Sequence, residues 1–262
     1  MLADWHAYDH YGYAAIAVLG TLAAVAAVPW LLERSRWAAW TRSLHGVVPP
    51  FINIIGVLFG LTLAFLANDT WSAHDRALKS VYREADALHG LMTLSRTLPD
   101  DLGGRLRDAL GRYARASADE WPLLARRTRS PAVNAHADRL LVLLASREIA
   151  QAAGDNVQAL MLRKATEIRD EHDQRVALSQ THVNPLKWLG MAFLGLLTLV
   201  SVAVVHVDKP RAALVSVTLF ALAATPTAAI VLIQGNPFQP PSDVRPAPIL
   251  AAAADTAQDA GR

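Results

Sequence analysis

Acidic residues and a histidine gather near position 170, and this set of side chains could bind a metal ion. The residues are Glu167, Asp170, Glu171, His172 and Asp173. Basic side chains alternate with them, at Arg163, Lys164, Arg169 and Arg175. Such a mixture is typical of a solvent-exposed helix whose neighbouring turns form ion pairs. The pattern therefore favours an ion-paired surface helix over a metal site, and no metal is expected.

Sequence motifs for enzymatic chemistry are missing. The chain has no phosphate-binding P-loop, no dinucleotide-binding glycine fingerprint, no His-Glu-x-x-His and no nucleophile elbow. It contains no cysteine, which excludes disulfides, thiol catalysis and cysteine-ligated metals. The formal charge of +2 is too small to indicate a nucleic-acid partner. We therefore expect no catalytic residues, no cofactor and no bound nucleic acid.

Charge is distributed unevenly along the chain, although 53% of its residues are hydrophobic and 18% are charged. Four stretches of bilayer length contain no Asp, Glu, Lys or Arg, and about 20 such residues suffice to cross a hydrocarbon core as a helix. The spans predicted from them cover about 13–32, 47–68, 186–207 and 211–234. The sequence thus predicts an all-α integral membrane protein with two pairs of transmembrane helices.

The segment between the two pairs has the composition of a water-exposed domain. Residues 69–184 mix both signs of charge, and their apolar residues keep helical spacing, which predicts a helical bundle. No turn signal follows Asn68, so span two should continue into this domain as one helix. The predicted order is a first membrane pair in 1–68, the helical domain in 69–184, a second pair in 185–234, and a Pro/Ala-rich, largely disordered tail in 235–262.

Basic residues in short loops predict the orientation in the membrane. They lie between spans one and two and between spans three and four, at Arg34, Arg36, Arg42, Lys209 and Arg211. Residues 1–12 contain no Lys or Arg. Because short basic loops favour the cytoplasm, we expect a bacterial inner-membrane protein with its N-terminus and helical domain in the periplasm.

Span two carries the most informative surface. Small and weakly polar residues recur near one face, at Asn53, Gly56, Gly60, Ala64, Ala67 and Asn68. A Gly-x-x-x-Gly spacing lets another backbone approach closely, so this face either packs inside one subunit or faces a pore or another subunit. An apolar ridge on the same helix could narrow a pore, and it consists of Phe51, Ile55, Phe59 and Leu63.

Span four contains Thr225, Pro226 and Thr227. Proline leaves a backbone carbonyl without its helical partner, which a neighbouring threonine hydroxyl can satisfy, so a kink is predicted here. The absence of charged side chains from all four spans argues against a proton-coupled pump. A neutral conduit and a simple membrane anchor both remain compatible with such spans.

Several segments, taken in order, resemble the bestrophin-like domain family of bacterial membrane proteins. Residues 56–71, ending in Trp71, look like the second span of that family. The helix containing Glu84 resembles the one that follows this span. The segment from Tyr113 to Glu120, Trp121 and Pro122, and the pair Pro237 and Phe238 after the last span, are similar to further motifs of the family.

The resemblance implies a relation to bestrophins, which are oligomeric chloride channels with a neck lined by the second span. By that likeness, Ile55, Phe59 and Leu63 are neck candidates. The leading hypothesis is a homo-oligomeric membrane protein that conducts ions, with the lipid bilayer, other copies of itself and inorganic ions as partners. The alternative is a non-conducting sensor or scaffold whose helical domain binds a partner. Bestrophins keep that domain in the cytoplasm, opposite to the orientation that the loop charges favour.

Overall fold

The computed structural model describes residues 9–34, 43, 48–181, 184–241 and 244–259. Helices and their connections account for these ranges, and no strand occurs in them. The ten helices are α1 Asp9–Arg34, α2 Val48–Ser95, α3 Asp100–Asp119, α4 Trp121–Ala125, α5 Pro131–Leu144, α6 Arg147–Ala153, α7 Asp155–Ser179, α8 Pro185–Val205, α9 Pro210–Ile233 and α10 Ala247–Asp259. The predicted all-α class is therefore confirmed.

Four of these helices are long and apolar enough to cross a membrane: α1, the first half of α2, α8 and α9. They correspond to the four predicted spans, so the prediction of a multi-pass membrane protein is confirmed. Helix α2 contains 48 residues without interruption and is about 72 Å long at 1.5 Å per residue. The predicted continuation of span two into the following domain is also confirmed.

The chain divides into two compact units, and each combines two separate segments. The first unit comprises Met1–Trp71 and His182–Gly235, and the second comprises Ser72–Thr181 and Asn236–Arg262. In the first unit, α1 packs against α8 and α9, and α8 packs against α9. In a bilayer this packing depends on close dispersion contacts, because lipid is as apolar as the helices themselves.

The second unit has a conventional water-excluding core. Helices α2, α3, α5 and α7 contribute side chains that are completely or almost completely buried, namely Leu88, Leu91, Leu106, Leu110, Leu140, Leu144, Met161 and Ile168. Burying each such side chain stabilises the fold by about 1.5–3 kcal/mol relative to exposure. A solvated helical domain is thus held together from inside.

The C-terminal segment differs from the expected disordered tail. Residues 247–259 form α10, and Ile249 is completely buried in the core of the second unit, against which Val244 and Ala252 also pack. Pro248 lies in the first turn of α10, where the missing N–H leaves no hydrogen bond unmade. The proline content that indicated disorder therefore marks the start of a helix.

Candidate functional site

In the first unit, one side of α2 packs against the other spans. Leu63 and Ala67 are buried in a cluster with Met191 and Val231. The ring of Phe59 lies 5.5 Å from that of Phe220 between centroids, on α9. Two of the three neck candidates, Phe59 and Leu63, thus contact helices of the same chain. The third, Ile55, is half-buried.

The opposite side of α2 is not covered by any of the helices that the structure describes. Asn53, Gly60, Ala64 and Asn68 are exposed. Gly60 follows Asn53 by seven residues and Ala64 follows Gly60 by four, so these three residues lie on one line along the helix. A Cβ atom added to Gly56 or Gly60 would meet nothing within 4 Å. Next to this line, a second exposed strip is strongly apolar: Phe51, Ile54, Leu58, Leu61 and Phe65.

The small-residue face proposed from the sequence is therefore divided between two environments. Asn53, Gly60, Ala64 and Asn68 face outwards, Ala67 is buried, and Gly56 is half-buried.

In span four, α9 continues on both sides of Pro226, and the Thr227 hydroxyl donates to the carbonyl of Ala223 at 3.1 Å.

At the end of span two, side chains tie α2 to its neighbours in the first unit. The indole N–H of Trp71 donates to Oε1 of Gln234 at 3.1 Å. Lys187 at the start of α8 pairs with Asp69 at 2.8 Å, and both side chains are more than half exposed. These contacts fix the end of the span without burying charge.

The second unit contains a fully buried ionic network centred on Arg175 of α7. One guanidinium nitrogen, Nη1, forms an ion pair with Oε2 of Glu84 on α2. The other, Nη2, donates to the Ser117 hydroxyl at 2.8 Å and lies 3.5 Å from Oε2 of Glu120. The guanidinium carbon lies 4.8 Å from the centre of the Trp121 ring. Arg175, Glu84 and Glu120 all have 0% side-chain exposure. An isolated buried charge is strongly unfavourable, so the burial of each of these charged groups depends on the others.

Helix α3 completes the coordination of Glu84. Oε1 of Glu84 accepts hydrogen bonds from the Tyr113 hydroxyl at 2.8 Å and from the Ser117 hydroxyl at 2.9 Å. Burial raises the pKa of Tyr113 well above its usual value, and the adjacent carboxylate of Glu84 raises it further. The phenol therefore stays protonated and acts as a hydrogen-bond donor.

Glu120, between α3 and α4, connects the network to His172. Its Oε2 lies 2.8 Å from Nε2 of His172, and its Oε1 accepts from the backbone N–H of Ser130 at 2.7 Å. Burial raises the pKa of Glu120, but the hydrogen bonds from His172 and Ser130, with the electrostatic interactions with His172 and Arg175, outweigh it and hold the pKa below its usual value. Glu120 is accordingly an anion at neutral pH.

The segment after the last span docks on the same network. The Trp121 N–H donates to the carbonyl of Val244 at 2.9 Å, and the ring meets Phe238 edge-on, with centroids 5.7 Å apart. Pro237 is buried beside Phe238, while Pro122 lies exposed in the first turn of α4. Five motif residues identified from the sequence, Glu84, Tyr113, Glu120, Trp121 and Phe238, thus meet in one cluster.

The structure corrects the interpretation of α7 as a solvated helix. Its outer side is ion-paired, with Lys164 3.0 Å from Glu167 and Arg169 3.2 Å from Asp138. Its inner side buries His172 and Arg175. These two follow Met161, Ala165 and Ile168 at spacings of three and four residues, which is the signal that places them on the core-facing side. Among the described residues, no cluster of three His, Asp or Glu is arranged to hold a metal.

Comparison with known proteins identifies the family. A sequence model of the bestrophin-like domain matches residues 19–249. A crystallised membrane-protein variant superimposes with a TM-score of 0.66 at 14% identity, over 95% of this chain and 98% of that one. A point variant of a bacterial bestrophin homologue from Klebsiella pneumoniae gives 0.61 at 16% identity, over 94% of this chain and 98% of that one. These structures show a shared fold, and no curated protein matches in sequence. With the family pattern matched along most of its length, the chain belongs to the bestrophin-like domain family.

Proposed function

We propose that this protein forms a homo-oligomeric, ion-conducting pore, and that the open side of α2 lines the conduit. The observation that carries the proposal is the uncovered line of Asn53, Gly60, Ala64 and Asn68 in span two. A family whose name and solved relatives point to bestrophins supports the same activity. The line contains no formal charge, so the conduit would be neutral over this length.

The polarity of this line favours water or another subunit over lipid. Asn53 and Asn68 are about 22 Å apart along the helix at 1.5 Å per residue, which is less than the roughly 30 Å of a hydrocarbon core, so a bilayer can enclose both amides. An amide exposed to hydrocarbon lacks the hydrogen bonds that water supplies. Several copies arranged around an axis would turn these amides towards a water-filled path. Between them lie the exposed Val57 and the small Gly60 and Ala64, and the two small residues would let neighbouring helices approach closely.

Cysteine accessibility tests this proposal directly, because the native chain contains no cysteine. Gly60→Cys and Ala64→Cys place a thiol on the proposed pore line, and Phe65→Cys places one on the exposed apolar strip as a matched control. In planar bilayers we expect a charged, water-soluble thiol reagent to reduce the current of the first two variants at least several-fold. Phe65→Cys should not respond.

Two results would overturn the assignment. The first is a correctly assembled oligomer that conducts neither anions nor cations, which would favour the non-conducting sensor or scaffold. The second is conduction that responds to modification of Phe65→Cys but not of Gly60→Cys, which would move the conduit to another face. Measuring subunit number in the same detergent preparation separates a failure to assemble from a failure to conduct.

We further propose that the protein resides in a bacterial inner membrane with its second unit in the periplasm. Support comes from Lys209 just before α9 and Arg211 in its first turn, and from Arg34, Arg36 and Arg42, of which Arg36 and Arg42 lie outside the described residues. A membrane-impermeant maleimide should label Asp155→Cys in intact spheroplasts and label Lys209→Cys only after lysis. The reverse pattern would place the second unit in the cytoplasm.

A further inference from the structure

A cavity lies inside the first unit and is independent of the proposed pore line. It has a volume of roughly 300 Å³ and is open along one side. All four spans contribute to its wall, which includes Gly20, Thr21, Phe59, Ala192, Gly195 and Ala224. Every one of these residues belongs to a stretch without charged side chains. The cavity is therefore at membrane depth.

Its wall suits an apolar occupant. Apart from the threonine hydroxyls of Thr21 and Thr225, the lining side chains are hydrocarbon, aromatic, thioether or absent. The Thr21 hydroxyl already donates to the carbonyl of Ala17 at 2.8 Å. A polar or ionic ligand would lose its hydration here and gain little in exchange. The volume is near the lower end of the roughly 300–1,000 Å³ found for small-molecule pockets.

The surroundings of the opening indicate which molecules can enter. Ile16 on α1 and Leu196 on α8 belong to the lining, yet they are 60% and 49% exposed, so they mark its outer edge. Leu19 and Leu189 continue the same two surfaces as large exposed apolar side chains. Such surfaces face hydrocarbon in a membrane protein. An empty apolar cavity would also forfeit the dispersion contacts of its lining.

We propose that this cavity is a lipid-binding site that holds one acyl chain of a membrane phospholipid, inserted from the bilayer between α1 and α8. The lipid acts as a structural ligand that fills the space between the spans. This site requires neither conduction nor the open side of α2. The test of the lipid site is therefore independent of the test of the pore.

Two glycines provide a matched pair of variants. Gly20 lines the cavity, and a Cβ added to it meets nothing within 4 Å, so a leucine can extend into the open space. Gly190 on α8 is equally unobstructed but is not part of the lining. Gly20→Leu should fill the site, and Gly190→Leu should leave it open. Ala224→Leu fills it from α9 and serves as a second filling variant.

The readout is photocrosslinking of the full chain in phosphatidylcholine vesicles that contain phosphatidylcholine with a diazirine on one acyl chain. Mapping of crosslinked peptides should find Leu199, a lining residue that is only 2% exposed, modified in the native chain and in Gly190→Leu. Both filling variants should lose at least tenfold of this modification. Crosslinks to the exposed Leu189 should stay constant in all four proteins, because they report ordinary surrounding lipid.

Three outcomes would overturn the proposal: no modification of Leu199 in the native chain, equal modification in the filling variants, or crosslinks that join two protein chains at this position. The last would show that a second copy fills the space. Circular dichroism and unchanged labelling of Leu189 identify any variant that has failed to fold. If Gly20→Leu is lost for that reason, Ala224→Leu decides.

Discussion

The buried network makes a strong prediction about Arg175. Replacing it with methionine keeps an unbranched side chain in the same space but removes the guanidinium that contacts both Glu84 and Glu120. Both carboxylates are then buried without this partner. Breaking a buried ion pair from one side destabilises proteins by about 3–5 kcal/mol, mostly because a charge is left uncompensated. We expect a loss of this size for Arg175→Met.

Hydrogen exchange of the full chain in detergent micelles measures the effect where it arises. At 1.4 kcal/mol per factor of ten, the loss should speed amide exchange in α3 and α7 by about 100- to 4,000-fold. Arg169→Met on the same helix is the control. Arg169 is 50% exposed and pairs with Asp138, which is 59% exposed. Such a pair contributes about 0–1 kcal/mol, so exchange should change by less than about sixfold.

Equal effects of Arg175→Met and Arg169→Met on amide exchange in α3 and α7 would refute a stabilising role of the buried ion pairs. A further check uses Glu84→Gln together with Arg175→Met, since neutralising one carboxylate should recover part of the loss. The coupling between the two sites should be about 0.5–3 kcal/mol, as for other residues in contact. Strict additivity of the two single effects would show that Glu84 and Arg175 do not act as a unit.

Three further predictions concern the second unit. The pKa of Glu120 is lowered on folding, so its ionised form stabilises the folded state above the unfolded pKa of about 4.3. This stabilisation is lost as pH falls through the folded pKa. Glu120→Gln should therefore flatten that part of an acid-unfolding curve. Trp121→Phe removes a hydrogen bond to the segment before α10 and should lower stability by about 1 kcal/mol, with faster exchange confined to that segment. Gly103→Ala should destabilise, because its Cβ would lie 2.6 Å from the Ser95 carbonyl, whereas Gly104→Ala, with open space, should stabilise by up to about 1 kcal/mol in thermal unfolding.

The membrane part of the fold could be predicted because its cause is local. Water cannot satisfy a peptide group inside the bilayer, so an uncharged stretch of sufficient length must form a helix, whatever its neighbours do. The continuous helix α2 followed equally from the absence of a turn signal after Asn68. Which side of this helix packs could not be predicted, because Phe59 and Leu63 depend on partners more than 100 residues later in the chain.

The network shows the opposite case. Glu84 and Arg175 are 91 positions apart, and each alone has the properties of an ordinary surface residue. Only the alignment of His172 and Arg175 with the apolar side of α7 indicates that they are buried, and it does not identify their partners. The motif residues Glu84, Tyr113 and Glu120 were recognised by resemblance, but their common location required the fold.

The core of the second unit is divided between two distant segments of the chain, and this division affects its folding during synthesis. Phe238 and Ile249 complete a core that begins with Ala77, yet spans three and four are translated between the two parts. At about 5–20 residues per second, a ribosome needs roughly three to eleven seconds to translate the residues between the two parts. During that interval Trp121 lacks its hydrogen bond to the carbonyl of Val244, and the core residues that pack against α10 are not yet covered by it. Until α10 has been synthesised, the nascent second unit therefore lacks the apolar side chains that complete its core.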